Sequence, residues 1–94
     1  DEFVENIDGV LLVHANVSIE DEITLLLRSR YPDYVPLAAI KTSLVGRHSG
    51  TLGNRLRELV SKKILFGDPK HGYRLTQLGA KNAGEIRLRL AMAA

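Results

Sequence analysis

Residues 49–79 read SGTLGNRLRELVSKKILFGDPKHGYRLTQLG, and this stretch decides the fold. Its first half carries apolar side chains at helical spacing, within about 100° of one another on a helical wheel. These side chains are Leu52, Leu56, Leu59 and Val60. Ser49 is a favourable N-cap residue, so the pattern predicts a helix from Ser49 to about Lys63.

The second half of the stretch predicts a two-stranded hairpin followed by a helix. Residues 64–66 are β-prone, and residues 73–75 alternate apolar and polar side chains. Residues 67–72 (GDPKHG) between them are a dense cluster of turn formers, so the whole cluster is the expected loop. Thr76 is a good N-cap for a last helix over residues 77–92. Helical spacing gives its expected buried positions, Leu78, Ile86 and Leu90.

Two more helices are expected upstream. Residues 18–30 predict a helix because the serine that begins them can act as N-cap and their apolar side chains follow a helical stripe. Pro32 prevents its continuation. Residues 34–35 are expected to make one or two extended pairs, after which Pro36 opens a second helix that ends at Gly46.

The first 17 residues allow two interpretations. Phe3, Val4, Ile7, Val10 and Leu11 recur at helical spacing, which favours a leading helix. The Asp-Gly pair at residues 8–9 is instead typical of a hairpin turn. In either case the apolar content indicates an N-terminal extension, residues 1–17, that packs against something, a partner subunit included, ahead of a domain over residues 18–94.

Length and composition exclude several classes of protein. Ninety-four residues form one domain, and 45% apolar with 26% charged residues is close to the globular average. The chain has no cysteine, which excludes disulfide frameworks, Cys-ligated zinc, iron–sulfur clusters and thiol nucleophiles. The longest apolar run, residues 10–13, is too short to span a bilayer, so no membrane partner is expected. Because the first residue is Asp1, the chain is compatible with a piece of a longer protein.

The charges of the two halves differ in sign. Residues 1–40 contain two basic and eight acidic residues, a net charge of −6. Residues 41–94 contain eleven basic and three acidic residues, a net charge of +8. Such a split predicts a face that binds a polyanion, with the basic half containing the stretch that decides the fold.

The expected order is helix, short extended pair, helix, turn, helix, hairpin, helix. Two helices joined by a short glycine-containing turn form a helix-turn-helix unit, and a hairpin can close the core that three small helices leave open. The predicted fold class is therefore mainly α with a small β-hairpin (α+β), arranged as a winged helix-turn-helix.

Two segments carry a resemblance to that superfamily. Leu52, Leu56 and Leu59, followed by residues 60–65 (VSKKIL), are similar to the passage from its third helix to its strand. Residues 72–79 (GYRLTQLG) resemble the strand that returns from the wing and ends in Leu-Thr-x-x-Gly, common in MarR-like and PadR-like bacterial regulators and their archaeal relatives. Family members often have glycine where this chain has Lys63.

A second resemblance separates fold from function. Residues 56–60 (LRELV) and 72–76 (GYRLT) are also similar to the winged module that precedes one class of Rio kinases, where the module is an appendage to an enzyme. The resemblance therefore implies the fold more directly than it implies transcription regulation.

The outward side of the predicted third helix has the chemistry of a helix that enters the DNA major groove. Arginine pairs bidentately with guanine and asparagine with adenine, and the polar start of the helix suits a phosphate. Arg47, His48 and Lys62 are expected to contact phosphates, and the wing is expected to reach the flanking backbone or the minor groove. Glu58 would repel phosphate, so we expect it to point along the flank. The predicted DNA-binding set is Arg47, His48, Ser49, Thr51, Asn54, Arg55, Arg57, Lys62, Lys70, His71 and Arg74.

The leading hypothesis is thus a double-stranded DNA-binding domain, in a cytoplasmic or nucleoid-associated regulator or as the DNA-targeting part of a larger protein. A homodimer through residues 1–17 and the last helix would supply two half-sites. The alternative is a winged-helix module that binds protein within an assembly. No catalytic residue, cofactor or metal site is predicted, because His14, His48 and His71 lack ligand spacing and no phosphate-cradling glycine motif is present.

Overall fold

The computed structural model describes residues 3–44, 46–47 and 49–93, without the side chain of Ser49. This part of the chain is α+β, with four helices and two small antiparallel hairpins. The elements in chain order are β1 (Val4–Ile7), β2 (Val10–Val13), α1 (Ile19–Arg28), α2 (Leu37–Ser43), α3 (Ser49–Ser61), β3 (Leu65–Asp68), β4 (Gly72–Leu75) and α4 (Gln77–Ala93). None of the described helices has the length and apolar character needed to cross a bilayer.

The N-terminal segment forms a hairpin, which decides between the two interpretations of residues 1–17. Asp8 and Gly9 both have positive φ, 52° and 87°, as a two-residue turn between right-twisted strands requires. Val4 and Leu11 are buried in the same core as the helices, and Leu11 N–H donates to Ser43 Oγ at 3.1 Å. The hairpin is thus packed against α1 and α2 of its own chain.

Helix α1 begins as predicted and supplies the centre of the core. Ser18 Oγ accepts the N–H of Asp21 at 3.2 Å, which confirms the N-cap. Ile23, Leu26 and Leu27 are almost fully buried. The helix ends at Arg28, two residues before the predicted end.

Helix α2 confirms the extended pair that precedes it. Val35 and Tyr73 exchange two backbone hydrogen bonds of 2.7 and 2.9 Å, which attach the residue before Pro36 to β4. Pro36 was predicted as the first helical residue but is the N-cap, and the helix begins at Leu37. The helix ends at Ser43 instead of continuing to Gly46, because Leu44 leaves helical geometry with φ −94° and ψ 57°.

Helix α3 has the predicted apolar side but different ends. Leu52, Leu56 and Leu59 are buried. Ser49 is the first helical residue, not its N-cap, and the last is Ser61. Lys63 then adopts left-handed geometry with φ 65°, while Ile64 N–H donates back to Leu59 O at 3.0 Å. The turn that glycine usually makes at a helix end is made here by lysine.

We expect Lys63→Gly to stabilise the protein by about 1 kcal/mol, because glycine adopts left-handed geometry without the Cβ clash that lysine has. In a domain of this size that is a rise in melting temperature of about 4–8 °C, measurable by circular dichroism. Lys63→Ala is the matched control, since it removes the same charge and keeps Cβ. Equal melting temperatures for the two variants would contradict the backbone explanation.

The β3–β4 hairpin has a shorter loop than predicted. Asp68 pairs with Gly72, so only residues 69–71 lie outside the ladder, not the whole cluster 67–72. The Asp68 carboxylate accepts the N–H groups of Lys70 and His71 at 2.9 and 2.8 Å, which closes a tight turn. Leu65 and Leu75, paired in register, point into the core.

Helix α4 confirms its predicted span and cap but not all of its buried positions. Thr76 Oγ1 accepts Gly79 N–H at 3.0 Å. Ile86 is buried and Leu90 partly buried, whereas Leu78 is 51% exposed, so that prediction was wrong. Gly79 lies on the inward side instead, because the helix approaches the backbone of Ile64 too closely for a larger side chain.

Candidate nucleic-acid interface

The outward side of α3 presents three predicted residues together. Thr51, Asn54 and Arg57 are exposed and follow one another at a spacing of three, so they lie along one side of the helix. They line a shallow concavity with their neighbours Gly50, Arg55 and Glu58. The Arg57 guanidinium donates to Asn54 Oδ1, which leaves the amide nitrogen of Asn54 and the rest of the guanidinium directed to solvent.

The β3–β4 loop lies on the same side of the molecule as Arg57. Burial raises the pKa of the Tyr73 phenol, the Asp68 carboxylate raises it further, and the Arg57 guanidinium opposes both. The Tyr73 phenol therefore lies within electrostatic range of both charges. Val60, one turn after Arg57 on α3, lines one concavity with residues 67, 68 and 71 of the hairpin, so this side of α3 and the hairpin loop adjoin.

Asp68 is fully engaged inside the hairpin loop. Hydrogen bonds from the backbone N–H and then from the side chain of His71 lower the pKa of the Asp68 carboxyl. His71 Nδ1 lies 3.0 Å from both carboxylate oxygens. The acid thus serves the turn, while Lys70 and His71 themselves are exposed at its tip.

The cations near α3 and the hairpin divide into free and paired groups. Arg57, Lys62, Lys63 and Lys70 are exposed, and within the described ranges no carboxylate forms an ion pair with them. Lys62 and Lys63 follow the end of α3 and lead into β3. Four cations without an ion pair therefore follow one another in the chain from the middle of α3 to the tip of the hairpin; Arg30, Lys41 and Lys81, also exposed and unpaired within the described ranges, lie in other parts of the chain.

Arg47, predicted as a phosphate contact, is held by α1. Its Nη2 lies 2.9 Å from Glu22 Oε1 and donates to Val17 O at 3.0 Å, and its Nε donates to the same carboxylate at 3.0 Å. The ion pair with Glu22 and the hydrogen bonds to Glu22 and Val17 fix the guanidinium against the N-terminus of α1.

Arg55, predicted as a base contact, is also turned toward acids. Its Nη1 lies 3.3 Å from Glu58 Oε2, and its buried Nε is 3.8 Å from Glu20 Oε1. Glu58 is exposed along the flank and its charge is balanced by Arg55. A third acid of α1, Asp21, pairs with Arg89 of α4 at 2.6 Å. Three consecutive acids of α1 therefore each hold one arginine of the basic half.

The remaining predicted residues lie apart or outside the described residues. Arg74 pairs with Phe66 across the hairpin, donates from Nε to Leu75 O at 3.0 Å, and places its guanidinium 5.6 Å from the centre of the Tyr31 ring. It is a partly buried structural contact and does not join the loop tip. His48 and the side chain of Ser49 lie outside the described residues, although the backbone of Ser49 begins α3.

Sequence reasoning missed one cation of this surface and one exposed ring beside it. Lys63 belongs with the free cations, and its place next to Lys62 was a signal that could have identified it. Phe66 was assigned to a strand, but the side of the hairpin on which its ring lies was not predicted. Because side chains alternate along a strand, the buried position of Leu65 implies that the neighbouring Phe66 ring is exposed.

Comparisons with protein-family models, with curated proteins and with solved structures found no match to this chain. No group of three or more His, Asp or Glu side chains suited to a metal ion occurs among the described residues.

Proposed function

We propose that this chain is a double-stranded DNA-binding domain of the winged-helix type. In this proposal α3 enters the major groove and the β3–β4 hairpin is the wing that contacts the flanking backbone. The domain would serve transcription regulation, or DNA targeting for a larger protein, without a catalytic step of its own.

One observation carries the proposal. The exposed cations Arg57, Lys62, Lys63 and Lys70 follow one another from α3 to the hairpin loop and have no carboxylate partner among the described residues. The acids of α1 compensate other arginines and leave these four free. A continuous run of free cations beside a polar helix face is the electrostatic pattern that phosphate backbones bind.

In this proposal the side chains of α3 make different contacts with the DNA. Arg57 and Asn54 suit guanine and adenine edges. Thr51, one turn earlier, suits a phosphate beside the start of the helix. Arg55 would act as a positioning residue, because its pairing with Glu58 removes a negative charge that would otherwise face the duplex.

We expect the domain to bind random duplex DNA with an affinity that falls steeply with salt. Three phosphate contacts, from Lys62, Lys63 and Lys70, correspond to a slope of about −2.7 in log K against log salt, hence about a 40-fold loss between roughly 50 and 200 mM salt. Fluorescence anisotropy with a labelled duplex measures this. Absence of binding at the lower salt concentration, or binding that does not change with salt, would contradict the proposal.

A second candidate, protein binding, is supported by a different surface. Leu88 and Met92 of α4 are exposed, lie one helical turn apart and line one shallow depression with Glu85 and Arg89. This apolar strip suits contact with a protein, either a second copy in a homodimer or another subunit. Absence of duplex binding in the anisotropy experiment described above would favour this candidate. The N-terminal hairpin supports it less, because Val4 and Leu11 are buried in the core of their own chain.

A further inference from the structure

An aromatic groove lies beside the hairpin, and its two aromatic rings take no part in the contacts described so far. Tyr34 and Phe66 are 48% and 61% exposed, and both line this groove. Its other walls are Val60 of α3 and residues 67, 68 and 71 of the hairpin. Two large aromatic rings that are exposed in one concavity are unusual in a domain whose aromatic residues make up 5% of the chain.

Three lysines lie close in the chain to residues that line the groove. Lys62 and Lys63 lie between Val60 and Phe66 in the chain, and Lys70 precedes His71, which lines the groove. Asp68 is the one acid in the lining, and its carboxylate already accepts two backbone N–H groups and faces the imidazole of His71. An occupant therefore meets two exposed aromatic rings, and three uncompensated cations lie next in the chain to residues that line the groove.

We propose that this groove binds an unpaired nucleobase from a single-stranded segment that continues from the bound duplex. Aromatic rings stack with any base, while nearby cations hold its phosphates. The groove is lined by Val60 of α3 and His71 of the hairpin loop, and both elements belong to the surface assigned to the duplex, so one strand can pass from one to the other. This inference rests on the proposed duplex binding, and it makes the junction of double and single strand the preferred ligand.

Three labelled DNAs test the inference with the unmodified domain: a blunt duplex, the same duplex with an overhang of about four nucleotides, and that duplex with an overhang of abasic nucleotides. We expect the overhang to raise affinity about tenfold, within the range measured for stacking of one base. The abasic overhang has the same phosphates and no bases. It should therefore lose most of the gain.

Variants of the groove provide the second arm. Phe66→Ala should abolish the overhang gain and leave blunt-duplex affinity unchanged, whereas Phe66→Tyr should retain it because the ring is preserved. Ile7→Ala is the matched control, since Ile7 is also an exposed large apolar residue but lies on the N-terminal hairpin. The high exposure of Phe66 means that its removal should not unfold the domain, which a melting curve verifies.

The outcomes separate the two proposals. Tight blunt-duplex binding with no preference for the overhang would overturn the inference, would leave duplex binding standing, and would reassign the groove to a protein partner. A gain that persists with the abasic overhang, or in Phe66→Ala, would overturn it as well, because phosphates alone would explain the affinity. No binding of any of the three DNAs would contradict the proposed function itself.

Discussion

Gly79→Ala is expected to destabilise the protein by about 3 kcal/mol or more, at or above the upper end of the usual range for overpacking a core. A Cβ at this position would lie 2.1 Å from Ile64 O and 3.1 Å from Leu75 Cδ2. Ile64 O is fixed in place, because it accepts the backbone N–H of Thr76 at 3.1 Å and its hydroxyl at 3.2 Å. The clash can be relieved only by moving α4 away from the hairpin.

The matched control for this substitution lies in the same helix. Gly84 has open space around the position of a Cβ, so Gly84→Ala should stabilise the protein by about 0.5–1 kcal/mol through helix propensity alone. Urea denaturation followed by circular dichroism measures both. If Gly79→Ala changed the free energy of unfolding by less than about 0.5 kcal/mol, the close approach of α4 to Ile64 would be wrong.

The double substitution Arg57→Ala with Lys70→Ala is expected to weaken duplex binding about 100-fold. At roughly 100 mM salt one lost phosphate contact costs about eightfold, because affinity varies with salt to a power of about −0.9 per contact. Arg57 should cost at least as much again, since a bidentate contact to a base is worth about 1–3 kcal/mol. Anisotropy titrations at fixed salt measure the loss.

Lys81→Ala with Arg28→Ala is the control that matches this change in total charge. Lys81 is exposed on α4 and Arg28 ends α1, so neither belongs to the face formed by α3 and the hairpin loop. We expect less than about a threefold loss for this pair, because only the long-range field changes. Equal losses for the two pairs would mean that binding follows net charge and does not use the proposed face.

Much of the fold could be predicted because it is determined locally. Ser18 and Thr76 cap their helices through atoms three residues away, and the alternation around Leu75 defines a strand wherever the rest of the chain lies. The errors in the predicted buried positions arose where backbone that is distant in the chain determines which side of a helix faces the core. Leu78 fits a helical stripe as well as Gly79 does, and only the position of Ile64 O determines which side of α4 faces inward.

For the candidate interface, too, the local pattern was predictable and the long-range contacts were not. Periodicity identified the exposed side of α3, including Asn54 and Arg57. It could not identify which arginines have partners, since Arg47 and Glu22 are 25 residues apart and meet only when α1 and the start of α3 come together. The aromatic groove was unpredictable for the same reason, because Tyr34 lies in the segment before α2 and Phe66 lies in β3.

The attachment of Val35 to β4 has a mechanical consequence. Its two hydrogen bonds to Tyr73 hold β4 next to the hairpin loop, and Gly72 approaches Val35 O so closely that a Cβ would lie 2.8 Å away. The hairpin cannot rotate relative to the helices without breaking these two hydrogen bonds. The distance from α3 to the loop tip is therefore fixed before any ligand binds. If the domain binds DNA as proposed, this fixed span would favour a duplex whose groove width matches it. A duplex with a different groove width would have to deform to fit.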